Sequence, residues 1–165
     1  MVAGLLMSTM AYGQFFGDKK YGEYYEEEKV WVETEATLPA FPKADSLVDF
    51  YVSAASDNKY YIAPQSLSVA SDGVVRYASV VKTPSGAVNV SFEGIRCTTK
   101  EVRLYAFGRA DGTWGKSRND RWLPVRPGTY QAILFKEYFC PRGVVIFTAN
   151  EGVSALKQGG HPLVK

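Results

Sequence analysis

Four cations and two indoles are concentrated in one short stretch, where Arg109, Lys116, Arg118 and Arg121 interleave with Trp114 and Trp122. Arginine and lysine pair with phosphate or carboxylate, and tryptophan stacks on sugar faces or on arginine itself. These residue types together suit an anionic glycan or a lipid head group. The competing reading is mechanical. Tryptophan is usually largely buried, so both indoles can pin a long loop to the domain while the cations stack on them or stay solvated.

Catalytic machinery is harder to assemble. The chain has no Gly-x-Ser-x-Gly elbow, no phosphate-cradling glycine loop, no His-Glu-x-x-His and no calcium-loop spacing. A carboxylate pair for acid and base work can be drawn from Glu93, Glu101, Asp111, Asp120 and Glu137, but any set of that size yields pairs by chance. The one histidine, His161, stands near the end of the chain among Gly159, Gly160 and Pro162, which predicts a frayed terminus over 161–165. Two cysteines and a distant histidine fall short of the four ligands of structural zinc, so neither a metal nor another cofactor is expected. The expected protein is not an enzyme.

Charge and cysteine usage bound the compartment and the partner. A net charge of +2 argues against a dedicated nucleic-acid binder. That sum hides a polarity, because residues 18–35 carry −4 and residues 96–126 carry +5. Residues 2–11 are a short uncharged apolar run followed by Ala11-Tyr12-Gly13, the small-x-small pattern a signal peptidase accepts. Residues 1–13 therefore read as a truncated signal peptide, too short to span a bilayer. The mature chain is expected to have no transmembrane segment. In an exported chain Cys97 and Cys140 are expected to form one disulfide.

The elements that must position these residues lean toward strands. At 165 residues the chain suits one domain, and 46% hydrophobic content against 22% charged is a globular balance. Fifteen Gly, eight Pro and eleven Tyr favour pleated strands broken by turns. Residues 14–29, rich in acids and Tyr, read as a mobile tail, with order beginning at a strand where Val30, Val32 and Thr34 alternate with polar or aromatic neighbours. A proline-fixed connector over 38–43 leads into Val48, Phe50 and Val52. Hairpins at Asp72-Gly73 and Pro84-Ser85-Gly86, and a bulge at Gly94, predict a four-stranded antiparallel meander over 66–107. Residues 108–122 read as a long polar loop without secondary structure. Tyr130, Ile133, Leu134 and Tyr138 predict a helix beginning near Thr129 and ending by Cys140-Pro141, and Thr148 with Glu151 has capping-box spacing for a short last helix. The fold class is α+β, a single domain over 30–160 with the meander sheet carrying a helix on one face.

Several longer strings carry a resemblance: Asp49-Phe50-Tyr51-Val52, Asp72-Gly73-Val74-Val75-Arg76-Tyr77, Asn89-Val90-Ser91-Phe92-Glu93-Gly94, Arg96-Cys97, Asp111-Gly112-Thr113-Trp114 and Tyr138-Phe139-Cys140-Pro141. In these the chain resembles the CNP-one-like family, a group of uncharacterised proteobacterial exported proteins. The resemblance implies export and a paired cysteine, and brings no catalytic residue. The expected function is thus a periplasmic protein-interaction or cell-wall-associated module, its partner an envelope protein. The alternative is a binder of an anionic envelope polymer, a glycan or a lipid head group, through the basic tryptophan loop.

Overall fold

The computed structural model of the protein describes residues 30–164, so the leader expected over 1–13 and the mobile tail expected over 14–29 lie outside the described residues. Seven strands form one antiparallel sheet: β1 Val48–Phe50, β2 Lys59–Val69, β3 Val74–Lys82, β4 Val88–Arg96, β5 Glu101–Gly108, β6 Trp114–Lys116 and β7 Leu123–Pro124. The first six lie side by side in chain order, and β7 shares the outer edge of β5 with β6. Consecutive pairing of this kind needs only tight turns. Gly73 supplies one of them, at a φ of +75° that a side-chain-bearing residue rarely adopts.

The expected meander is present and longer than its four strands. Strand β6 lies within what reads as polar loop, so the expectation of no structure over 108–122 is corrected. Gly115 explains why. Paired with Phe107, it lets that ring lie over its own backbone, where an added Cβ would come within 2.6 Å of the aromatic carbons. The stretch over 30–34 is corrected in the other direction. It belongs to no strand, because from Trp31 onward its side chains grip a face of the sheet instead of its backbone joining an edge.

One sheet face packs on the helices. Ile62, Val75, Tyr77 and Ile95 meet Leu134, Tyr138, Phe139, Ile146 and Leu156 in the main core. Helix α1, Tyr130–Ile133, is capped by the Thr129 hydroxyl and widens over Leu134–Phe139 into a π-helical segment, closed by the Cys140 N–H donating to the Phe135 carbonyl at 2.9 Å. A wide turn sets residues four and five apart on one side. Leu134, Tyr138 and Phe139 are accordingly all buried. Cys97 and Cys140 are disulfide-bonded with Cα atoms 5.5 Å apart, tying the end of β4 to the end of this segment.

Helix α2, Ala149–Lys157, begins at the Thr148 cap, and the Glu151 carboxylate reaches back to the Phe147 N–H. The frayed terminus expected over 161–165 is corrected as far as it is described. His161 is only 5% exposed. Its Nδ1 accepts from the Leu163 N–H, leaving Nε2 to donate to Glu151 at 2.9 Å. Its own N–H donates to the Glu137 carbonyl, and Pro162–Val164 closes the described chain as a 3-10 turn.

Candidate functional site

The opposite sheet face is covered by an extended strap, residues 31–41. Strand alternation places Arg76, Ala78 and Val80 of β3 on this face, beside Phe92 and Gly94 of β4. On β5 the register slips between Glu93↔Leu104 and Phe92↔Ala106, which leaves Tyr105 as an inserted residue. A bulge re-aims side chains. Here it turns Tyr105 as well as Arg103 toward the strap, where Tyr105 lies against Phe92.

Glu33 is the strap's anchor. Its carboxylate accepts from Arg103, from the Tyr105 hydroxyl at 2.6 Å and from the Trp122 indole N–H at 3.0 Å, and Arg76 lies 3.5 Å away. Beside it Asp72 accepts from both terminal nitrogens of Arg76 and from the backbone and side chain of Thr34. Burial acting alone would raise the Asp72 pKa. The Arg76 guanidinium and the donors from Val74 and Thr34 outweigh it and hold the carboxyl at about 2. Burial pushes the Tyr105 phenol up, and its hydrogen bond to Glu33 adds to the shift. Trp31 completes the anchor, its N–H on the Asp72 carbonyl, the Arg96 guanidinium 3.7 Å from its ring centre and Trp122 edge-on at 6.1 Å.

These contacts locate the loop residues singled out by sequence. Trp122 is tied to Glu33. Trp114 donates its N–H to the Pro39 carbonyl at 2.8 Å and packs on Phe41 and Phe92. Both indoles are therefore anchors of the strap. Arg109 folds back on its own hairpin, donating to the Trp114 carbonyl. Lys116, Arg118 and Arg121 are exposed, and none of them forms an ion pair among the described residues.

Between the strap and the β5–β6 edge lies a groove of about 550 Å³, whose walls include Thr34, Glu35 and Leu38 on one side and Arg103, Lys116 and Ser117 on the other. Lys116 pairs with the strap-facing Ala106 and so stands on the same face as Arg103. The carboxylates offered as acid and base partners are dispersed. Glu101 lies 3.8 Å from Arg96, Asp120 3.9 Å from Arg103 and Glu137 3.0 Å from Lys136, while Asp111 caps Thr113 in the β5–β6 turn. Glu93 is buried on the helix face. It accepts from Tyr77, Tyr130, Ser91 and Gln131, and burial together with that carboxylate pushes both phenols well above their ordinary range. Among the described residues no cluster of three or more His, Cys, Asp or Glu could hold a metal ion.

A family model described as the CNP1-like family matches residues 26–157, a span that contains the strap, the whole sheet and both cysteines. The chain belongs to the CNP1-like family. A curated relative, Cryptic neisserial protein 1 of Neisseria gonorrhoeae, is 28% identical over 147 residues, covering 76% of this chain and 72% of that protein. No solved structure matches. Within this CNP1-like domain, sequence reasoning passed over Glu33, Asp72, Arg76, Arg103 and Tyr105. A signal was there in part, since Trp31 and Glu33 fall on one side of an extended chain. What they grip is 41 to 89 residues away and has no local signature.

Proposed function

We infer that this protein is a non-enzymatic binding module of the bacterial periplasm that docks an envelope protein on the basic edge of its sheet. The observation that carries the reading is the exposed trio Lys116, Arg118 and Arg121, which forms no ion pair among the described residues, beside an open groove. Export is supported by a disulfide in the main core, where both sulfurs are nearly inaccessible, because such bonds persist in oxidising compartments. A binding role in place of catalysis is supported by how fully these carboxylates are occupied: buried Glu93 and half-buried Glu33 are each gripped by three or more donors. Among the described residues no helix is long and apolar enough to cross a membrane.

Cross-linking in intact cells tests the reading, with the recovered chain and its partners identified by mass spectrometry at low and high salt. A reproducible protein partner that disappears when Lys116, Arg118 and Arg121 are all changed to Glu, with unfolding unaltered, is the expected result. An association indifferent to that triple change removes the basic edge from the argument.

A further inference from the structure

We propose that the groove between the strap and the β5–β6 edge receives an extended acidic peptide, paired along the backbone of residues 35–38 and held by a carboxylate between Arg103 and Lys116. The proposal rests on the docking reading above and names the chemistry of its partner.

The strap supplies the first argument. Over residues 35–38 it is neither helix nor strand, and none of its N–H or C=O groups has a partner among the described residues. Thr34, Glu35, Ala36 and Leu38 line the groove. An extended backbone with free donors and acceptors along a groove is the template on which a peptide adds as a further strand.

The cations supply the second. One arm of Arg103 is committed to Glu33; among the described residues its buried Nε has no partner and the other arm meets only Asp120 at 3.9 Å, a side chain 72% exposed. Lys116 projects from the neighbouring strand on the same face with no ion pair among the described residues. A ligand carboxylate arriving here gains two charge-assisted donors and displaces only a long, solvated contact. Glu33 shows in cis that this face grips a carboxylate on an extended chain. A glycan would want a free aromatic platform, whereas both nearby indoles are half-buried against other rings.

The test pans a bead-bound library of random heptapeptides against the full, oxidised chain and measures selected peptides by fluorescence anisotropy. Enriched sequences should share Asp or Glu at one position. Lys116→Gln and Arg103→Gln should each weaken them about tenfold, the loss of one charge-assisted contact. N-methylation of alternate peptide bonds should do the same, and Asp120→Asn should tighten binding about threefold by removing the internal competitor. Lys116 touches no partner that folding needs, so Lys116→Gln keeps the test decisive if Arg103→Gln disturbs the strap. A library without an acidic consensus, or binding unmoved by Lys116→Gln and by N-methylation, overturns the proposal. A cross-linked protein partner that the triple charge reversal abolishes would then leave the docking reading standing alone. Recovery of an anionic glycan in place of any peptide overturns the proposal, and a partner indifferent to the triple reversal overturns the docking reading itself.

Discussion

The indole N–H of Trp122 donates to the Glu33 carboxylate at 3.0 Å, joining two residues 89 positions apart and closing the strap over the sheet. With Arg103 and Tyr105 on the same carboxylate, one acidic side chain holds the strap, the bulge of β5 and the approach to β7 in register. Glu33→Gln keeps the shape but removes the charge that Arg103 and Arg76 face. The expected cost is about 2 kcal/mol in urea unfolding, within the range for a charged hydrogen-bonded group whose partners are left behind. Hydrogen exchange should locate the loss in residues 31–41 and leave β2, β3 and β4 protected. Uniform loss across the sheet would show that Glu33 is not a local anchor.

The Cys97–Cys140 bond closes a separation of 43 residues between the sheet and the π-helical segment. On the chain-entropy argument a loop of that size contributes about 4 kcal/mol, so the double Cys→Ala variant should unfold at markedly lower urea. Dithiothreitol should act slowly on the folded wild type, because both sulfurs are nearly inaccessible. Equal midpoints for the double variant and the oxidised wild type would deny the bond a stabilising role.

The local grammar of the chain was legible in its residues, and its long-range chemistry was not. Turn glycines, the Thr129 and Thr148 caps and the alternation of β3 and β4 act over a few positions, where residue types decide conformation. The cysteine pair was readable because two thiols have one way to combine. Arg76 gave no sign of its role, since a buried arginine looks like any surface one until Asp72 and the strap's Thr34 are brought to it. The Arg103 and Tyr105 pair needed the bulge, which is a property of the β4–β5 register and not of either strand alone. His161 misled for the same reason: its glycine-rich neighbours look frayed, but Glu151 and the Glu137 carbonyl hold it from other elements.

Asp72 predicts an acid limb of stability through its lowered pKa. Its carboxyl is held at about 2, below its ordinary 3.8, so the folded state binds the proton less readily than the unfolded chain. A lowered acid contributes fully above the unfolded value and loses its contribution as pH falls toward the folded one. Stability should therefore decline between pH 4 and 2, by about 2 kcal/mol from this group. Glu151, also lowered, adds in the same direction: burial opposes the shift, and the hydrogen bonds from His161 and Phe147 drive it. Asp72→Asn should be less stable at neutral pH and should flatten the decline. An unchanged acid limb in that variant would assign the transition to other carboxylates.

At the alkaline end the tyrosines reverse the sign. Tyr77 and Tyr130 both donate to the buried Glu93 carboxylate, and burial with that nearby negative charge raises their pKa well above 10. A group whose folded pKa is raised stabilises the fold below the unfolded value, and the contribution is lost as pH climbs past it. Ultraviolet titration should accordingly show Tyr77 and Tyr130 ionising only as the protein unfolds in strong base. Tyr130→Phe removes a hydroxyl that also contacts Ser79 and Ser91, and should cost about 1–2 kcal/mol. The alkaline transition should then move, because one of the two phenols that donate to Glu93 is gone. If Tyr77 and Tyr130 ionise near the ordinary phenol value while the protein stays folded, the Glu93 cluster is open to water and the burial that organises the helix face of the sheet is wrong.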